Sequence, residues 1–546
     1  MLSPESSSQK TSDSVVRSAG IVSAAVLLSR ITGLAREIAM ARFFGAGIAN
    51  DAFVLGFRIP NLARDLFAEG ALSSAFVPTF TRYLAKSREE AAHLANLVAT
   101  VLVLVVGAVC VAGILFSPAL VSLLAAKFAE VPGKFELAVS LTRVMFPFLL
   151  LVALAAQAMG VLNANNQFGV PALASTYFNI GSVLAGLALG FWLGPQLGVE
   201  PIHGMAYGVV FGGALQLLCQ VPSLRRAGFV FRPAFDWSHP GLREVFRLMG
   251  PAVLGTAAVQ VNVVVNTHLA SGIADEFGRV INGPVSWLGY AFRFMQLPLG
   301  LFGVAIASAT LPSISRSAAA ADIDGFRSRL SRSLGMVFLL TIPASAGLAI
   351  LGEPLTAAVY QGGRFTPEDT RQTALALTCY SIGLAGYAAV KVLAPAFYAL
   401  GNARTPMVIS LISIVVNYAA AVISVHVARL GHAGLALSTS AVALFSFVAL
   451  FWQMRSDIGG VRGRALAVSI GKILLASAVM AAASAASSRT IESALGVSRG
   501  ARLADLAISV PLGALVFYAV ARLLRVAELN DAMRAISGPL GRLLRR

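Results

Sequence analysis

The chain has 546 residues, 57% of them hydrophobic and only 12% charged, against about a quarter charged in an ordinary soluble domain. That balance excludes a soluble globular protein and a disordered one. The formal charge of +17 would suit a nucleic-acid partner, but the basic residues lie in short segments between apolar runs, so the excess reports topology and excludes nucleic acid.

Residues 1–14 read as a disordered polar tail. After it, apolar stretches long enough to cross about 30 Å of hydrocarbon recur from end to end, about 14 in all. They fall near 15–45, 49–83, 92–125, 137–164, 168–194, 203–223, 244–272, 280–315, 328–352, 371–401, 405–428, 432–454, 466–487 and 502–524. The expected fold is an all-α polytopic membrane protein. Counting loops from a cytoplasmic N-terminus puts about 25 basic residues inside and about nine outside. Both termini are therefore expected in the cytoplasm. The outer loops hold acids instead, among them Asp275, Glu276, Glu353, Glu368 and Asp369.

The stretch Ser29 to Arg82 breaks the apolar rule. It contains Arg30, Arg36, Arg42, Arg58 and Arg64 with Glu37, Asp51, Asp65 and Glu69. A lipid-facing arginine costs about 2.5–3.5 kcal/mol, so five would cost about 15 kcal/mol, more than a typical domain's whole stability. These residues must face one another, water or an anionic ligand, which makes the stretch part of a polar cavity inside the membrane. Arg30, Arg36, Arg64 and, further along, Arg293 are the candidate anion ligands, because a guanidinium is a planar fork suited to phosphate and stays charged at any physiological pH. Asp51, Glu69 and Arg58 are candidate gating or ion-pair residues. The plainer alternative is pairing along one helix face, Arg30 with Glu37 and Asp51 with Arg58. Gly33, Pro60, Pro298 and Gly300 stand beside these charges and are candidate bends.

The sequence also repeats itself. FAEGALSSAFVPTFTR, Phe67 to Arg82, returns as LFGVAIASATLPSISR, Leu301 to Arg316, pairing Pro78 with Pro312 and Arg82 with Arg316. Pro171 pairs with Pro406, and His203-Gly204 with His432-Ala433-Gly434. An even number of spans per half makes the repeats parallel, related by a pseudo-two-fold along the membrane normal. The expected plan is an N-lobe of spans 1–6 (15–223), a cytoplasmic linker (224–243), a C-lobe of spans 7–12 (244–454), spans 13–14 (455–524) and a basic tail (525–546).

Cys110, Cys219 and Cys379 are scattered in apolar runs and read as core residues. No metal-ligand spacing, phosphate loop or catalytic triad is present, and every loop is too short for a catalytic domain. The chain reads as a transporter, not an enzyme, with no cofactor. A drug/cation antiporter would need a net acidic pocket, and this one is net basic.

The runs SRITGLAREIAMARFFGAGIANDAF and RIPNLARDLFAEGALSSAFVPTF, with LPLGLFGVAIASATLPSIS and KVLAPAFYALGNARTP, resemble the MviN/MurJ family of the multidrug/oligosaccharidyl-lipid/polysaccharide exporter superfamily. The resemblance implies two lobes of transmembrane helices. It further implies flipping of lipid II, the undecaprenyl-diphosphate-linked disaccharide-pentapeptide, between leaflets of the bacterial cytoplasmic membrane by alternating access. It places the family's cavity arginines on Arg30, Arg36, Arg64 and Arg293 and its essential aspartate on Asp51, and it makes spans 13–14 a lipid-tail groove. Lipid II, membrane lipids and cell-wall synthesis enzymes are the implied partners. Another polyprenyl-diphosphate-linked glycan or a drug stays open as the substrate. Phe292 and Gln296 flank Arg293 where some relatives carry acids. Asn262, Asn266 and Asn417 stand where some have acidic sodium ligands, so membrane potential, H+ or Na+ all stay open for coupling.

Overall fold

The computed structural model describes residues 4–66, 72–461 and 463–534. It divides into two compact units, one running to Gly272 and one starting at Ile273.

The first unit comprises α1 (Pro4–Phe44), α2 (Ile48–Arg64), α3 (Ser73–Lys86), α4 (Arg88–Leu115), α5 (Ser117–Ala125) and α6 (Lys134–Met145). It continues with α7 (Pro147–Ala164), α8 (Gly169–Leu187), α9 (Pro201–Leu218), α10 (Val221–Arg226) and α11 (Pro240–Ser271). The second unit comprises α12 (Pro284–Pro298), α13 (Ala305–Ala319), α14 (Ile323–Ile350), α15 (Gly352–Tyr360) and α16 (Pro367–Ala399). After these come α17 (Arg404–Val422), α18 (Gly431–Asp457), α19 (Gly463–Leu495) and α20 (Arg499–Leu523).

Among the described residues eleven helices are long and apolar enough to cross a membrane. The long or charged elements outside that set, α1, α2 and α11, are polar for a reason. The first two carry Arg30 to Arg64, and α11 carries Gln260, Asn262, Asn266 and Thr267. Helix starts follow local chemistry. Ser87 Oγ accepts from Glu90 N at 3.3 Å to open α4. Thr366 and Asp369 form a reciprocal capping box at α16.

Each unit has its own apolar core. In the first, Phe76, Phe80, Leu94, Val98 and Phe229 are buried together. In the second, α14, α16, α18 and α19 enclose Phe326, Leu334, Leu393 and Ile473. Gly33 and Pro60 do not break their helices, because α1 and α2 run through them. Beyond Pro298 the helix does change, into a π turn at Leu299–Val304, the form in which a freed carbonyl is re-satisfied within a membrane helix.

The repeated landmarks of the sequence are repeated in structure. A π turn follows α8 at Ala188–Leu193, and another follows α17 at Ile423–Val427. The next helix packs against each turn through a glycine: a Cβ on Gly204 would stand 2.3 Å from Gly190 Cα, and one on Gly434 2.8 Å from Ser424 Cβ. His203 Nε2 lies 2.9 Å from Ser140 Oγ of α6, and His432 Nε2 lies 2.9 Å from the Gln372 carbonyl of α16. Both histidines thus tie their helix to an earlier one.

A candidate anion site on buried charge

The candidate site of the first unit is laid out on α1, α2 and α11. Arg36, on α1, is 15% exposed and donates from Nη2 to Glu37 Oε1 at 3.2 Å. Its guanidinium carbon lies 5.8 Å from the centroid of Phe57 and 5.4 Å from that of Phe178. A ring from α2 and one from α8 therefore fix the plane of the fork, an arrangement a lysine would not reproduce. Asn179 of α8 donates from Nδ2 to the Ser29 carbonyl at 3.1 Å. A Cβ on Gly33 would stand 3.3 Å from that nitrogen, so Gly33 serves close approach between α1 and α8.

On α2, Arg64 donates through Nε and Nη2 to Asp65 Oδ1, at 3.2 and 2.9 Å. Gln260 of α11 reaches the other oxygen of Asp65 at 3.5 Å. Arg58 donates from Nη1 to the buried Thr267 Oγ1 at 2.6 Å, a second tie from α2 to α11. Arg30 is exposed on α1, and in the second unit Arg293 is exposed on α12. Beside Arg293, Phe292 packs edge-on against Tyr380 at 5.5 Å. Glu69 lies outside the described residues.

Asp51 pairs not with Arg58 of its own helix but with a residue of α6. Lys134 Nζ stands 2.8 Å from Asp51 Oδ2, with the two side chains 1% and 0% exposed. The ammonium also sits 4.1 Å from the centroid of Phe128. Lys134 opens α6, just after Gly133 at φ 74°, where the helix dipole opposes a cation. A cation tolerated there answers to Asp51 rather than to its own helix. The sequence signal was slight, a lysine at the head of a helix that also carries Glu136 and Arg143. Close packing supports the pair: a Cβ on Gly56 of α2 would meet the Thr142 nitrogen of α6 at 3.1 Å.

The second unit carries a counterpart. Trp287 Nε1 donates to Asp369 Oδ1 at 2.8 Å, and Asp369 Oδ2 accepts from Thr366 N and Oγ1, each at 2.9 Å. The same repeat offset, to within a couple of residues, carries Asp51 onto Trp287 and Lys134 onto Asp369. The tie joins α12 to α16 as the first joins α2 to α6. Asp369 is therefore a buried capping residue, which its place among the outer-loop acids did not disclose.

Among α19 and α20 the buried Asp505 accepts from Ser488 Oγ at 2.6 Å and Ser509 Oγ at 2.7 Å. Hydroxyl donors allow a carboxylate to be carried inside an Ala- and Leu-rich hairpin. No group of histidines, cysteines and carboxylates suited to a metal occurs among the described residues.

Eleven helices of membrane length among the described residues, with half-buried arginines held on polar helices beside them, define a polytopic membrane transporter. The family model described as "Lipid II flippase MurJ" matches residues 40–499. The chain belongs to the MurJ family. It is 37% identical to the lipid II flippase MurJ of Burkholderia cenocepacia, covering 80% of this chain and 82% of the relative. It is 35% identical to the probable lipid II flippase MurJ of Vibrio cholerae, with 80% and 82% covered. Among solved structures it resembles a lipid II flippase MurJ in an inward closed conformation, with a TM-score of 0.74 and 26% identity over 92% of this chain and 99% of that one. An inward-facing multidrug MATE transporter shares the fold, with a TM-score of 0.59 and 16% identity over 80% of this chain and 93% of that one.

Proposed function

We propose that this chain flips lipid II from the inner to the outer leaflet of the bacterial cytoplasmic membrane by alternating access. The observation that carries the reading is the family match across residues 40–499. A drug antiporter is not favoured.

The site supports a role for each residue. In the unloaded protein Glu37 and Asp65 act as internal counterions, which spare Arg36 and Arg64 the cost of standing half-buried without an anion. A diphosphate brings more charge and more acceptor oxygens than either carboxylate, so it exchanges with them at the guanidinium forks. Phe57 and Phe178 keep the Arg36 fork aimed during the exchange. Arg58 holds α2 to α11 through Thr267, and Lys134 holds the other end of α2 through Asp51. Arg30 and Arg293 are further phosphate ligands by resemblance, and Glu69 a gating residue on the same ground. No bond is made or broken in the substrate: the headgroup is carried across by conformational change alone. The basic segments between spans favour cytoplasmic termini.

Depleting the protein in its host and assaying which leaflet holds lipid II tests the reading. Inner-leaflet accumulation, reversed by wild type and not by Arg36→Ala, is expected. Normal outward display together with inactivity in reconstituted vesicles would overturn it.

A further inference from the structure

Outside the charged site, the first unit contains an apolar groove of about 270 Å³. Ala99 and Val103 of α4, Leu154 and Ala158 of α7, Leu218 of α9 and Phe231 line it. Two polar residues stand in its wall: Gln157 gives its amide to the Ala95 carbonyl at 2.6 Å and Asn96 Oδ1 accepts from Arg232 N, so the groove offers an entering molecule chiefly hydrocarbon. Its rim is open, since Val103, Leu218, Val230 and Phe231 are 38%, 60%, 53% and 54% exposed.

One wall is an extended strap, residues 227–239, between α10 and α11. The strap is built rather than loose. The Arg88 side chain donates to the Ala227 carbonyl and lies 5.9 Å over the buried Phe229 ring. Arg232 N donates to Asn96 Oδ1 at 3.1 Å and Ala234 N to Thr100 Oγ1 at 3.0 Å, one turn further along α4. Phe231, Phe235 and Trp237 are exposed along it, as are Arg225, Arg226 and Arg232 at its start and middle. Exposed aromatic rings among arginines are the composition of a membrane–water interface on the cytoplasmic side.

We propose that this groove is a binding site for an anionic phospholipid of the cytoplasmic leaflet, separate from the flipping site. One acyl chain fills the cavity, and the phosphodiester meets Arg225, Arg226 and Arg232. Charge complementarity selects the occupant. The acyl chain alone would suit any lipid, but three exposed arginines, next in sequence to the lining residues Leu224 and Phe231, favour a net negative headgroup over a zwitterionic one.

The test uses the full chain in vesicles holding equal amounts of phosphatidylglycerol and phosphatidylcholine. One lipid at a time carries a photoreactive diazirine on its acyl chain, and labelled peptides are mapped. Adducts from the phosphatidylglycerol probe are expected on the α7 and α9 walls at about tenfold the level from the phosphatidylcholine probe. The variant R225Q/R226Q/R232Q should bring that ratio to about one, because the electrostatic preference is lost while the apolar cavity stays. Leu218→Trp, at an exposed rim position that tolerates a large side chain, should remove the groove adducts of both probes. Equal labelling of the wild type by both probes, a preference that survives in the triple variant, or adducts confined to other surfaces would each overturn the proposal. Because Arg225, Arg226, Arg232 and Leu218 are all exposed, an unchanged elution profile separates lost binding from lost folding.

Discussion

Asp51 and Lys134 meet at 2.8 Å with both charges withdrawn from solvent, so each is the condition for carrying the other inside the membrane. Removing one partner of such a pair costs about 3–5 kcal/mol, because the buried charge left behind loses its counterion. Lys134→Met should therefore lower the melting temperature of the purified protein strongly. The double variant Lys134→Met with Asp51→Asn should recover much of the loss, and single effects that simply add would refute the coupling.

The equivalent tie in the second unit should be weaker. Trp287→Phe removes the indole donor, but Asp369 keeps two donors from Thr366. The expected loss is about 1 kcal/mol, that of one ordinary hydrogen bond. A loss as large as that of Lys134→Met would mean that the indole, not the capping box, sustains the carboxylate.

Arg36→Lys keeps the charge and discards the planar fork that Phe57 and Phe178 hold. Flipping in reconstituted vesicles should fall by about tenfold or more while the protein still inserts and folds. Wild-type flipping in this variant would reduce Arg36 to a point charge.

Gly204→Val places a branched side chain where a Cβ alone would stand 2.3 Å from Gly190 Cα. Backbone cannot step aside as a side chain can, so a loss of about 2 kcal/mol or more is expected from forcing α9 away from the π turn that follows α8. Gly471→Ala is the control. Nothing lies within 4 Å of its Cβ position, and inside α19 the change should stabilise by up to about 1 kcal/mol. Thermal unfolding of the two variants separates crowding from propensity.

The turn after α11 should loosen in acid. Backbone hydrogen bonding from Arg279 is the chief cause that holds the Asp275 carboxyl below its ordinary value. The arrangement is favoured above the unfolded pKa of about 3.9 and is lost as pH falls through the lower, folded value. Amide exchange at Phe277 and Arg279, both donors to Asp275 Oδ1, should accelerate below about pH 4 after correction for the intrinsic rate. Unchanged protection there would show that the turn does not depend on the ionised acid.

The spans were legible because a run of apolar residues long enough to cross hydrocarbon carries its own signal, and the charges between Arg30 and Arg64 were legible because they violate it. Partners were not. Same-face spacing suggests Glu37 for Arg30 and Arg58 for Asp51, yet residues seven apart stand about 10 Å apart along a helix. The structure puts Glu37 on its neighbour Arg36 and brings Lys134 to Asp51 from 83 positions away in the chain. Asp505 illustrates the same limit. Ser509, four residues on, shares its helix, but Ser488 reaches it from α19, and nothing in either apolar run announces that the two helices meet there. Residue spacing reports one helix at a time, whereas an ion pair within a membrane is a property of two.

The paired ties also bear on biogenesis. A chain made from its N-terminus inserts one half while the other is still being synthesised. Because the Asp51–Lys134 tie lies wholly within residues up to Gly272, the first half can close its own fastening without waiting for Trp287 and Asp369 to leave the ribosome. Nascent chains arrested after Gly272 should already resist protease in a Lys134-dependent way; equal sensitivity of wild type and Lys134→Met would show that the fastening closes only once the chain is complete.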